Sequence, residues 1–573
     1  MKNILFVFGF ILQAMCVVAQ NDGIVVIGKG SREVEPAIRI LEAPKIIDTI
    51  KPTKVASYPM LVYRQPTKIT LDTIEAATVE TTEKLKPLYP FYAKFGIGST
   101  VMPLGEFYFN STRSRSYVYG MNVKHLSSFG DVKNRDKVVY APAQFDRTNM
   151  NVFGKITESN YDLSGNIHYK NNGFHYYGIP SDTILADSIA QRIQQVGGDF
   201  EYIANRGDSS ALNFSIGTGY NYLTTKKPII DSLADWKTSE HQFNFKTKGW
   251  YTYGTETFYA NLGVRFNGYK YGIADSSITP LDSGIVSNNT IIDFSPGVLT
   301  QKLNDQLKVE VGVGLAIDIN QKTKAYVYPR AELKYSLFND IFIPFVGIRG
   351  GLKQNSFKAL SEENQFILTN VKLKNEHNPY DIYAGFKGTI SKSISFNLNA
   401  SFARVFNKAL FVTDTLFSQG NKFNVIYDTM NVTRLEASMS YQMNEKLKID
   451  GIGRFNSYET KNQAYAWNLP QLQFIVRGSY NLYDKFLVNL DANLESGRKA
   501  LVYSSGKGIQ KENGQYFQSL GFIADINLGF EYRYNKRVSA FLQLNNLASQ
   551  RYYRWYNYPV QPIQIMGGIT ARF

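Results

Sequence analysis

QIMGGITARF (Gln564–Phe573) brings the sequence to its last residue in alternation. Ile565, Ile569, Ala571 and Phe573 lie on one side, and Met566, Gly568, Thr570 and Arg572 on the other. Soluble domains usually finish in a frayed polar tail. A strand that runs to a terminal phenylalanine needs its backbone groups paired with neighbours. It also needs a medium that accepts the apolar side, and a sheet closed on itself within a membrane meets both needs.

The same period of two recurs upstream. In FLVNLDANLESG, Phe486, Val488, Leu490, Ala492 and Leu494 alternate with Asn489, Asp491, Asn493 and Glu495. In LKIDGIGRF, Leu447, Ile449 and Phe455 oppose Lys448, Asp450 and Arg454, and in INLGFEYRY, Ile526, Leu528 and Phe530 oppose Asn527, Glu531 and Arg533. Composition agrees: 14% of residues are aromatic, with 39 Tyr and 38 Phe, yet mean hydropathy is slightly negative. Many apolar residues without net apolarity suit alternating strands better than stacked helices.

Alternation alone also suits a soluble sandwich, but the connections separate the two. Walking back from Phe573, short and long segments take turns. The short ones include Asn535–Lys536, Tyr483–Lys485, Asn444–Lys446, Ser391–Ser393, Asn339–Asp340, Asn304–Gln306 and Gly254–Thr255. Between them lie segments near 550–561, 498–518, 459–469, 407–429, 354–377, 272–288, 224–237, 171–192 and 127–146, and a short one near 319–323 keeps the parity. Outer-membrane barrels have tight periplasmic turns and longer outer loops, and a strand of about 9–11 residues crosses. The sequence therefore predicts an all-β chain, a transmembrane antiparallel β-barrel of about 22 strands over residues 90–573. Its first strands are placed at 90–99, 103–111 and 115–126, and both termini in the periplasm. Ile569, Ala571 and Phe573 then form the closing strand, and this aromatic-ended pattern resembles the signal read by the barrel-assembly machinery.

Residues 1–19 (MKNILFVFGFILQAMCVVA) read as an export signal: Lys2, an apolar stretch from Ile4 to Leu12, and cleavage after Ala19. Cys16 is the only cysteine. Met15 precedes it where a lipidation site wants a small residue, so the mature chain is expected to carry none. Residues 20–89, with Pro44, Pro52, Pro59, Pro66 and Pro87, read as an extended periplasmic segment that can cover the lumen. The net charge of +15 is spread singly through aromatic strands. That favours outer-membrane lipid and lipopolysaccharide phosphate as partners over nucleic acid.

LQLNNLASQRYYRWYNYPVQPIQIMGGITARF, KHLSS (Lys124–Ser128), SYNLYDKFLVNLDANLESGRK and YRYNKRVSAFLQLNNL resemble the barrel of TonB-dependent outer-membrane receptors. The resemblance spans about residues 90–573. It implies ligand uptake across the outer membrane and TonB as a partner. The family's amino-terminal plug is much longer than Gln20–Tyr89, and no recognisable plug precedes the barrel. GIVVIGKG (Gly23–Gly30) is similar to a TonB box followed by a plug strand. The alternative is a non-transporting barrel that serves as a scaffold or surface component with a periplasmic or surface-lipoprotein partner.

His125, His168, His175, His241 and His377 form no HExxH or Cys/His pattern, and no cofactor or metal is expected. His168 and His175 are placed on a loop or rim around a turn at Lys170–Gly173. No nucleophile elbow or phosphate loop appears, so no enzyme is expected. Arg434, Glu436, Lys448, Asp450, Arg454, Asp491, Glu495, Glu531 and Arg533 fall on the predicted inner face. They form either a substrate path or a wall of mutually neutralised ion pairs. Tyr465, Trp467, Tyr552, Tyr553 and Trp555 lie in outer segments, where they either stack on a ligand or join the interfacial aromatic girdle.

Overall fold

A computed structural model describes residues 88–573 apart from 205–211, 227–236, 273–284, 303–305, 445, 504–505 and 507. The export signal and nearly all of segment 20–89 lie outside the described residues. The described chain forms a 22-stranded antiparallel sheet that closes on itself. The first strand, Phe91–Gly98, pairs with Met102–Asn110 on one edge and with the last strand, Gln564–Arg572, on the other. The alternating sequence makes this possible because each strand offers one apolar and one polar side in a single register.

The seam is fully hydrogen-bonded. Phe91 N donates to Phe573 O at 3.0 Å and Phe573 N to Phe91 O at 3.1 Å, and their rings stack at 5.3 Å. Gly96 and Gly568 face each other across it. A Cβ on Gly568 would stand 2.6 Å from Gly96 Cα, and one on Gly96 would stand 2.7 Å from the Phe541 ring. Only glycine lets these backbones approach so closely.

One side of the sheet is exposed and apolar: Phe95, Ile97, Met439, Phe455, Phe474, Ile565 and Ile569. The other side carries the polar partners. The register joins Lys94, Glu106, Lys124, Asn149, Lys170 and Gln195 in one row. Segments crossing the barrel interior touch that row, Lys170 pairing with Glu362 at 3.5 Å, so it faces the lumen.

Connections alternate in length as expected. Turns at 158–160, 254–255, 392–393, 483–485 and 534–537 crowd one end, and segments 129–144, 176–189, 354–375, 461–471, 497–522 and 546–563 crowd the other. Two expectations change. The region 407–429 is no loop, because strands Ile394–Asp414 and Lys422–Met443 continue through most of it. No turn occurs at Lys170–Gly173, because Tyr161–His175 is one strand. His168 sits within it, and His175 Nδ1 meets Gln144 O at 2.7 Å.

Candidate functional site: a roofed lumen

The two longest strands outrun their neighbours. The preceding strand stops pairing at His377–Phe406 and the following one at Met430–Thr460. Beyond that level Lys408–Asp414 pairs only with Lys422–Asp428. The register shifts between Val405 and Lys408, where Asn407 adopts φ +54. A bulge of this kind bends a strand. The resulting two-stranded ribbon is buried on both sides. Phe411, Phe423 and Val425 join one apolar cluster, while Leu410 and Val412 join another around Trp467. Burial on both sides explains the unbroken apolar run Ala409–Val412.

Segment 354–375 packs on this ribbon. Ser356 Oγ accepts from Ala359 N at 3.0 Å and caps the short helix Phe357–Glu363. Phe357 and Leu360, three apart, enter the first cluster together with Phe366, Ile367, Leu368 and Val371. Leu368 N donates to Phe423 O at 2.8 Å and Phe423 N to Phe366 O at 3.0 Å, which adds a stretch of backbone pairing to the ribbon. Tyr269 Oη on the barrel wall and Thr238 Oγ1 just before a wall strand both donate to Thr369 O, at 2.6 and 2.7 Å, and Tyr176 Oη, just after one, donates to Ile367 O at 3.2 Å.

The third contributor is 546–563, with its small hairpin Tyr553–Trp555 and Tyr558–Pro559. Tyr558 is 0% exposed. Its ring stacks on Phe366 at 3.8 Å, and its hydroxyl donates to Asn421 O at 2.5 Å. Asn421 Nδ2 in turn donates to Tyr176 O at 2.9 Å. Residues from Ala141 to Tyr558 thus share one apolar core. It draws on the wall and on the segments at the long-segment end, and it forms a roof over the lumen.

A buried carboxyl group holds the roof to the wall. Glu240 is 0% exposed. Its carboxylate accepts from Phe357 N at 2.7 Å, Lys358 N at 2.8 Å, Asn267 Nδ2 at 3.0 Å and Gln242 Nε2 at 3.2 Å. A carboxylate out of water is tolerable only with donors of this kind, and these are charge-assisted. Glu240 was not singled out from sequence, since no local pattern marks a strand residue that caps a helix 117 positions away.

The charges singled out from sequence are all engaged. Glu436 pairs with Arg454 at 2.6 Å, Lys448 with Asp450 at 3.1 Å, and Arg434 Nε donates to Asn456 Oδ1 at 2.8 Å. Asp491 pairs with Arg477 at 3.1 Å, Glu495 with Arg554 at 3.3 Å, and Glu531 with Arg572 at 3.6 Å and Arg533 at 3.8 Å. Four of the pairings thus use Arg477, Arg554, Arg572 and Asn456, which alternation did not single out. Of the aromatics, Trp467 is 0% exposed and packs with Tyr465 against the ribbon's second side. Trp555 meets Phe411 at 5.2 Å, and Tyr552 donates to Asp525 at 3.0 Å. Tyr553 forms part of the small hairpin.

No protein-family model matches the sequence, and no curated protein does. Solved structures do match. The siderophore receptor PirA from Acinetobacter baumannii superposes with a TM-score of 0.61 at 11% identity, over 84% of this chain and 80% of that one. The pyoverdine outer membrane receptor FpvA from Pseudomonas aeruginosa PAO1 gives 0.60 at 10% identity, over 85% and 79%. The ferric-catecholate import receptor Fiu from E. coli K12 gives 0.58 at 12% identity, over 85% and 82%. This is the barrel fold of TonB-dependent outer-membrane receptors. In that TonB-dependent-receptor fold, the roof described above spans the lumen at the long-segment end.

Proposed function

We propose that the chain is an outer-membrane uptake barrel whose roof is its gate. The observation that carries this reading is the construction of the roof. One apolar core, built from segments scattered along the chain, spans the lumen and is tied to the wall through polar latches. A wall that only needed filling would have no use for separable latches, whereas a moving element needs contacts that break one by one. The receptors and importers that share the fold support the same reading. The long-segment end faces the outside, the turns and both termini face the periplasm, and the closing strand Ile569–Phe573 is read by the assembly machinery. TonB, through Gly23–Gly30, is the proposed energy source, and the ion-paired inner face is the proposed path.

Replacing 357–371 with a glycine–serine linker is expected to raise single-channel conductance and sensitivity to large antibiotics. The replacement is made both in the full chain and in a chain lacking 24–85, so that closure by the amino-terminal segment is not mistaken for a roof. If both stay as closed as their parents, the gate reading falls and a permanently shut scaffold barrel takes its place. Orientation has its own check. An impermeant maleimide on intact cells should label Gln510→Cys and spare Lys446→Cys, and the opposite pattern inverts the assignment.

A further inference from the structure

Beneath the roof, one row along an arc of the lumen wall differs in chemistry from the other rows. Elsewhere the inward rows hold ion pairs, such as Glu310–Arg330, Arg349–Asp381, Glu436–Arg454 and Arg477–Asp491. From the strand Tyr117–Ser128 to the strand Glu256–Tyr271, one register row instead runs Asn122, Asn151, His168, Gly197, Asn221, Gln242, Asn267. The Asn221 and His168 side chains close over Gly197, where a Cβ would stand 2.6 Å from Asn221 Nδ2 and 2.8 Å from His168 Nε2.

Two cavities open on this arc. One of about 490 Å³ is lined by Asn149, Lys170 and Gln195 on the wall and by Tyr177 and Trp555 from the roof segments. The other, of about 630 Å³, shares Asn149 and Lys170 and adds Asn151, Asn221 and Gln242. Both volumes lie in the range of about 300–1,000 Å³ usual for ligand sites.

The cations here are already engaged. Lys170 pairs with Glu362 at 3.5 Å and Arg554 with Glu495 at 3.3 Å, and Arg147 donates to Asn172 at 3.3 Å. The groups left over are acceptors: Asp199 in the larger cavity, Glu363 in the smaller, and two neutral amides. Gln195, 7% exposed, and Asn221, 8% exposed, each hold a side-chain oxygen with no hydrogen-bond partner. Asn221 Nδ2 meets His168 Nε2 at 2.9 Å. Such oxygens are costly when buried alone and call for donors.

We propose that this amide-lined chamber binds a neutral oligosaccharide. Hydroxyls supply the donors that Gln195 and Asn221 lack and accept from the amide N–H groups of the row. The apolar faces of sugar rings match the rings of Tyr177 and Trp555. An anionic ligand would find the neighbouring cations already paired and would face Asp199. The inference rests on the uptake reading and names its cargo class.

The test uses the full chain in a detergent without sugar headgroups, both as it stands and as Glu240→Ala, so that a closed roof cannot hide the chamber. Tryptophan fluorescence is titrated with maltotriose, xylotriose and triacetylchitotriose, and with trialanine and sialyllactose for comparison. At least one neutral trisaccharide should saturate, and trialanine and sialyllactose should not. Gln195→Leu and Asn221→Leu should each weaken that binding about tenfold, with heat-modifiable mobility showing an intact barrel. Absence of saturation by every neutral sugar overturns the proposal, as do equal binding of trialanine or sialyllactose and unchanged binding by both variants. Liposome swelling with the 357–371 replacement separates the two claims. Sugar passage without binding leaves the uptake reading standing and removes the saccharide assignment, and binding without passage does the reverse.

Discussion

Glu240 shows how much can hang on one side chain. Its carboxylate is the shared acceptor for two backbone N–H groups and two side-chain amides. Glu240→Ala leaves those donors buried and unpaired, a loss of about 3 kcal/mol. Amide exchange of the peptide covering 354–375 should then quicken roughly 100-fold, while exchange in the barrel strands stays slow. Glu240→Gln keeps one acceptor and should fall between. Equal protection in all three proteins would show that the latch holds nothing. Two phenols of the roof segments add a pH response. Burial raises the pKa of Tyr177 and Tyr558 above the ordinary tyrosine value. The closed roof therefore keeps protons that an open roof would release above about pH 10. Their contribution is complete below that pH and lost as it rises further, so the same peptide should lose protection only on the alkaline side. Tyr558→Phe should blunt that loss.

The ribbon is the element on which the roof is laid. Its backbone pairs with 366–368 on one flank, and its two sides feed two separate apolar clusters. Replacing Lys408–Asp428 with a tight turn should leave the barrel inserted and heat-modifiable and expose 354–375 to added protease. Continued resistance of that segment would mean that the wall latches suffice alone. The strands of the barrel were legible because period two and the turn rhythm are local signals, and even the parity of the short 319–323 connection was correct. The roof was less so, although its traces were present. Ser356 followed by Phe357 and Leu360, then Phe366-Ile367-Leu368, is too apolar for a loop in water, and Ala409–Val412 is too apolar for one side of a strand. What no local pattern could reveal is the pairing of Glu240 with Phe357, or of Tyr558 with Phe366, because those contacts depend on closure. Alternation groups the singled-out charges on one side of each strand, while their partners depend on register between strands.

At the scale of the whole molecule, Phe573 is where the sheet becomes a cylinder. Deleting it removes the backbone pair with Phe91 and the stacked ring, and changing it to Asp removes the ring. Outer-membrane levels should drop sharply while export to the periplasm continues, and normal amounts of inserted protein would dismiss the role of the terminal ring in assembly.

The seam also sets an order of events in time. Apart from the pairing of Phe91–Gly98 with Gln564–Arg572, each barrel strand pairs with its immediate predecessor and successor in the barrel. The hairpins are therefore low-contact-order steps, cheap in loop entropy, and the seam is the one step that must join the two extremes of the described chain. Until it forms, the nascent sheet has two bare edges that any other strand can template. The roof core collects residues from Ala141 to Tyr558, so its nucleus is incomplete before that same step. Roof formation should accordingly be the slowest phase of folding and a kinetic signature of a finished cylinder. Protection of 354–375 would then report, in a refolding time course, the moment at which the barrel ceases to be an aggregation hazard.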